Sequence, residues 1–119
     1  MPTINHNQRK INFLTKGKGE PIVFLHGFCE DLSVWDEFVL DFKKNKIIQI
    51  DLPGFGKSET LETPTVEKCA DAVKAVLDHL EIEKCTLIGH SMGGYISLAF
   101  AKKSESYLRG FGLFHIHNP

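Results

Sequence analysis

Long apolar runs are missing from this chain, and so is an excess of either charge. Lys and Arg number 14 against 15 Asp and Glu, for a net charge of −1. With no basic surplus to neutralise phosphates, nucleic acid is not an expected partner. No apolar stretch approaches the roughly 20 residues that span a bilayer, so no membrane partner is expected either. Met1 to Lys18 is polar and basic and holds no apolar h-region, so no signal peptide is expected. There are only three cysteines, Cys29, Cys69 and Cys85. Their odd number and wide spacing fit neither a disulfide framework nor a zinc site, which excludes a structural metal and suggests a reduced, cytoplasmic setting. Repeats, low-complexity tracts and linkers are also missing. What remains is ordinary globular composition, 42% hydrophobic and 24% charged over 119 residues, the size of one domain.

Four short apolar runs punctuate the chain: Pro21 to His26, Lys46 to Asp51, Lys84 to Gly89 and Arg109 to Ile116. Each fits a strand buried on both faces. Before them, Arg9 to Thr15 alternates like an antiparallel edge strand and runs into the turn signal Lys16-Gly17-Lys18-Gly19. Helical periodicity fills the gaps. Leu32, Trp35, Phe38, Val39 and Phe42 share one face over Asp31 to Lys44. Val66, Cys69, Ala70, Val73, Val76, Leu77 and Leu80 do so over Pro64 to Leu80, with Thr63 as the expected cap. Met92 to Lys103 is the third helical segment. Strands alternating with helices predict an α/β domain with a largely parallel sheet and helices on both faces. In such sheets ligands bind beyond the carboxyl ends of the strands. The loops that matter therefore follow Leu25, Ile50, Ile88 and Phe114.

The loop after Ile88 reads Gly89-His90-Ser91-Met92-Gly93-Gly94, a G-x-S-x-G between a strand and a helix. A tight turn there lifts the serine oxygen off the sheet and aims the Met92 backbone N–H at a developing oxyanion. A Cβ at Gly89 or Gly93 would collide with opposing backbone. The helix start adds partial positive charge. A serine N-cap on a glycine-rich turn is the blander account, and the bare pattern is common. The loop after Leu25, His26-Gly27-Phe28, supplies a candidate second donor in the Phe28 N–H, with Gly27 freeing the turn and His26 as its buttress.

These pieces, together with Asp51-Leu52-Pro53-Gly54-Phe55-Gly56-Lys57-Ser58, resemble the N-terminal half of the α/β-hydrolase superfamily in order and spacing. The resemblance covers nearly the whole chain and makes residues 1–119 the first part of a single such domain, ending after the strand that follows the nucleophile helix. It implies Ser91 as nucleophile, the Phe28 and Met92 N–H groups as oxyanion hole, no cofactor and a small acyl substrate. The Asp51 turn is mostly structural in that family, so Asp51 is not taken as catalytic. The family's base and acid follow the nucleophile, and only Met92 to Pro119 follow Ser91 here. These residues are accordingly expected to be a weak or inactive enzyme alone.

Other readings carry less. Gly54-Phe55-Gly56-Lys57-Ser58 ends like a P-loop, but Asp51 stands where its first glycine belongs. Haloalkane dehalogenases and epoxide hydrolases resemble the chain around Trp35 and Asp51 but carry aspartate at the elbow, so Ser91 favours acyl chemistry. His115 and His117 could serve as a base or a metal pair, but no acid and no further ligands accompany them. A non-enzymatic scaffold that binds a small ligand or a complementing chain is the alternative from another class. Cys29 is expected to fill packing space, and Trp35 to anchor its helix. The strand over 109–116 is expected at a sheet edge, where its apolar residues invite self-association.

Overall fold

The computed structural model describes residues 2–114. Six strands form one sheet: β1 (Thr3–His6), β2 (Arg9–Lys16), β3 (Glu20–Leu25), β4 (Asn45–Ile50), β5 (Cys85–His90) and β6 (Leu108–Phe114). Two α-helices join them, α1 (Val66–His79) and α2 (Met92–Ser104). The strand order is β1-β2-β4-β3-β5-β6. β4, β3, β5 and β6 run parallel, and β1 and β2 add an antiparallel flank. The largely parallel α/β sheet expected from the alternation is the fold observed.

The alternation within each central strand sorts its side chains between two layers. Val23 and Leu25 of β3, with Ile48, Ile50 and Leu87, pack against Val73, Val76 and Leu77 of α1 and Ile96 and Phe100 of α2. Ile22 and Phe24 face the other way with Ile47 and meet Trp35, Val39 and Phe42. The first layer is helical. The second is built from two 3₁₀ turns, Leu32–Trp35 and Phe38–Asp41, where one helix over Asp31 to Lys44 was expected. The cause is local. The Gln49 Nε2 amide donates to the Leu32 carbonyl at 2.7 Å, and the Asp36 N–H bonds Ser33 rather than Leu32. With that carbonyl taken, the chain closes in i→i+3 bonds. Trp35 anchors the segment as expected, buried with its ring 5.1 Å from that of Phe24.

Two further expectations need correcting. The strand beginning at Arg9 is not an edge. β1 pairs with it across the Asn7-Gln8 loop, whose residues sit at φ +50° and +66°. Two successive left-handed residues twist a two-residue hairpin correctly, and Asn-Gln is a weak signal for it compared with Asn-Gly. The cap of α1 is Thr65, which accepts from the Lys68 N–H at 3.1 Å, not Thr63. At the opposite flank β6 is the edge that the sequence predicts, with Phe111 45% and Leu113 40% exposed. His115 and His117 lie outside the described residues. Among the described residues no helix is long and apolar enough to cross a membrane.

Candidate functional site

β3, β4 and β5 are parallel neighbours, so the loops after Leu25, Ile50 and His90 gather at one end of the sheet. The sharpest feature there is Ser91. It joins β5 to α2 with φ +53° and ψ −114°, a region that non-glycine residues occupy only under constraint. Its carbonyl accepts from the N–H groups of Gly94 at 2.8 Å and Tyr95 at 3.2 Å, which starts the helix. Its hydroxyl makes no capping bond to that helix, so the N-cap account leaves the side chain without its usual task. The two glycines of the motif hold the turn tight. A Cβ at Gly89 would overlap the Gly93 carbonyl, and one at Gly93 would overlap the backbone carbonyls of Leu25 and His26. The turn, the helix start and the end of β3 are thus pressed together.

The loop after β3 is fixed from three directions. His26 is fully buried. Its Nε2 accepts from the Leu52 N–H at 2.9 Å, and its Nδ1 lies 2.8 Å from the Gly27 carbonyl oxygen. A backbone N–H can only donate and a carbonyl only accept, so the ring is the neutral tautomer with the proton on Nδ1. Burial holds its pKa below the ordinary value, in keeping with that state. The Gly27 carbonyl also accepts from the Glu30 N–H at 3.2 Å. Among the described residues there is no cis peptide bond, and across a trans peptide the carbonyl and the following N–H point in opposite directions. Tying the Gly27 oxygen to His26 therefore turns the Phe28 N–H away from that ring. The Phe28 side chain is exposed and meets Phe55 edge-on, 5.5 Å between centroids.

Behind the loops lies a buried polar hub. The Asp51 carboxylate accepts from Asn12 Nδ2 at 2.9 Å, the Leu32 N–H at 2.8 Å and the Lys57 N–H at 2.9 Å. The Ser58 hydroxyl donates to the Asp51 carbonyl at 2.6 Å and accepts from the Asn12 N–H at 2.7 Å. These bonds tie β2, the first 3₁₀ turn and the Asp51–Ser58 loop together, which is a structural task. Phe28, Phe55, Val66, Cys69, Met92 and Ile96 line a mainly apolar cleft of about 360 Å³ beside this end of the sheet.

Ser91, Met92, Phe28 and the glycines Gly27, Gly89 and Gly93 all stand at this end. Cys29 does not pack as expected. It is exposed at φ +62°, because the chain reverses just after Phe28 and carries the side chain outward. Glu30 was missed by sequence reasoning. Its Oε1 accepts from the Gly27 N–H at 2.6 Å and lies 3.0 Å from His90 Nδ1. The available signal was an acidic residue three positions after a loop glycine. Partial burial pushes the Glu30 carboxyl up, but the bonds from Gly27 and His90 outweigh it and leave its pKa below the ordinary value.

Residues 20–113 match the family described as alpha/beta hydrolase fold. The chain belongs to that family. Over 86 residues it is 42% identical to the dihydrolipoyllysine-residue acetyltransferase component of an acetoin cleaving system from Pseudomonas putida, covering 70% of this chain and 23% of that protein. It is 34% identical over 102 residues to the 2-hydroxy-6-oxononadienedioate/2-hydroxy-6-oxononatrienedioate hydrolase of Escherichia coli, 79% of this chain and 35% of that one. Among solved structures it superposes on a thermophilic esterase from Thermogutta terrifontis with a TM-score of 0.84 at 34% identity, covering 88% of this chain and 40% of the esterase. The chain thus spans well under half the length of each of these relatives. Of these relatives one is named a hydrolase and another an esterase.

Proposed function

We propose that this alpha/beta hydrolase acts on a carboxylic ester or related acyl substrate through an acyl-enzyme on Ser91. The observation that carries the reading is the strained backbone of Ser91 at a strand-to-helix junction, with no capping bond from its hydroxyl. Strain of that kind persists where the surroundings enforce it and where function uses it. In this reading the Ser91 oxygen attacks the acyl carbon, and the N–H groups of Phe28 and Met92 receive the oxyanion. The alcohol leaves with a proton, and water then hydrolyses the acyl-serine. The apolar cleft bordered by Phe28 and Met92 suits an acyl group better than a charged one.

The base and acid are assigned to none of the described histidines. His6 lies on β1 with its Nε2 3.4 Å from the Asn7 side-chain amide, His26 is committed to Gly27 and Leu52, His90 Nδ1 to Glu30, and His79 packs edge-on against Phe13. Loss of a triad member leaves a residual enhancement of about 10³–10⁴ over water, so turnover by these 119 residues alone is weak. The same reading gives the β6 edge a further strand as partner, from a second copy or a complementing chain.

The test is acylation rather than turnover. With p-nitrophenyl butyrate in excess, the expected result is a slow release of nitrophenolate and a butyryl adduct on the intact chain, both abolished by Ser91→Ala. Release and adduct that survive Ser91→Ala would overturn the assignment. A chain that binds the ester without any adduct would favour the scaffold reading.

A further inference from the structure

The Glu30 carboxylate has an unusual pair of partners. Its Oε1 accepts the Gly27 N–H at 2.6 Å, a short bond even for a charge-assisted one. The same oxygen lies 3.0 Å from Nδ1 of His90, the residue before Ser91. Glu30 closes the loop a second time through its own N–H, which donates to the Gly27 carbonyl at 3.2 Å. Both ends of Gly27 are therefore held by one residue. The site is tight as well: a Cβ on Gly27 would fall 2.8 Å from Glu30 Oε1 and 3.0 Å from His90 Nδ1. Glu30 and His90 are about 30% and 28% exposed, so solvent weakens the electrostatic part of the contact but does not remove the geometry.

From this arrangement we propose that Glu30 is a positioning residue that clamps the Gly27–Phe28 peptide to the Ser91 elbow through His90, and so sets where the Phe28 N–H stands. This rests on the serine reading given above. Two constraints orient that peptide. His26 and the Glu30 N–H fix the direction of the Gly27 carbonyl, and hence of the Phe28 N–H. The Glu30 carboxylate fixes the other side of Gly27 and spans to the strand end that carries the serine. A donor acts when it stands about 2.7–3.1 Å from the oxyanion, and a misplacement of about 1 Å costs up to about 100-fold. Without the carboxylate, the His26 ring and the Glu30 N–H still orient the Gly27 carbonyl, but the tie to His90 is gone and the loop is free to rock relative to Ser91. The role belongs to the hydrogen-bonding oxygen and not to the charge. A glutamine keeps an oxygen at that point; an alanine does not.

The experiment compares the rate at which a fluorophosphonate probe labels Ser91 in the 119-residue chain, in Glu30→Ala, in Glu30→Gln and in the Ser91→Ala control. The amide proton of Gly27 is followed in parallel by two-dimensional NMR. Expected is a loss of about tenfold in labelling rate in Glu30→Ala, with the Gly27 amide proton moving upfield as its bond is lost. Glu30→Gln is expected to stay within about twofold and to keep the downfield shift. Thermal midpoints, read on each variant, guard against simple unfolding. Labelling of folded Glu30→Ala at the unaltered rate overturns the proposal while leaving the serine reading intact, even if the Gly27 resonance moves. Equal losses in the alanine and glutamine variants also overturn it, because charge would then be the cause. An adduct that survives Ser91→Ala, or no adduct in any folded variant, removes the serine reading and the proposal with it.

Discussion

The strand ends around Ser91 and the outer edge at β6 are built on opposite principles. At the first, polar groups are buried and tied to one another: His26, Asp51, Asn12 and Ser58 are nearly inaccessible and joined by bonds of 2.6–2.9 Å. At the second, apolar groups are exposed. Phe111 and Leu113 face solvent, and a Cβ on Gly110 would meet nothing within 4 Å. A buried polar group left without its partner is costly, so removing one member of the first region is expected to destabilise the fold. The second has room to spare and lacks only a neighbour. One region is held by buried hydrogen bonds, while the other is an exposed apolar edge.

The contrast can be broken most strongly at Asp51. Asp51→Ala leaves the Leu32 and Lys57 N–H groups and the Asn12 amide without their acceptor. About 4 kcal/mol of stability should be lost, read as a fall in the urea midpoint. Gly93→Ala comes next, since its Cβ must push α2 away from the β3 carbonyls. Roughly 3 kcal/mol is expected, together with loss of Ser91 labelling.

A pH titration sharpens the same contrast at His26. Its folded pKa lies below the ordinary 6.5 because burial disfavours the charged ring. In that interval the unfolded chain binds the extra proton. The stabilisation is therefore complete above pH 6.5 and declines as pH falls from there towards the folded pKa. Denaturation midpoints should drop over that interval, and His26→Gln should flatten the drop. An equal slope in the variant would exclude His26 as the source.

Ser91→Gly has a smaller effect of opposite sign. Relief of the left-handed strain should raise stability by about 1 kcal/mol, while acylation disappears. Leu113→Lys at the far edge is expected to change stability least, by under about 0.5 kcal/mol, yet to reduce self-association in light scattering. A large destabilisation there would show that the edge is packed after all.

How far the sequence reveals this division depends on whether a feature is local. The buried strands announce themselves as apolar runs bounded by glycine, and the elbow by its spacing, because each is a property of contiguous residues. The hydrogen-bonded hub is not legible in that way. Asn12 meets Asp51 across 39 positions, and Gln49 takes the Leu32 carbonyl across 17. That second bond is also why helical periodicity over Asp31 to Lys44 misled: the pattern describes which side chains face the sheet, and 3₁₀ turns can meet it. β1 was hidden by a hairpin loop lacking its usual glycine. Glu30 was hidden because its partners, Gly27 and His90, come together only once β3 and β5 pair.

The most direct test of the central claim is intact-mass spectrometry of the chain after prolonged incubation with a fluorophosphonate probe, followed by peptide mapping. A single adduct is predicted, located on Ser91 and absent from Ser91→Ala. An adduct mapped to any other residue, or a folded chain that remains unmodified, would contradict the account of Ser91 as a poised nucleophile.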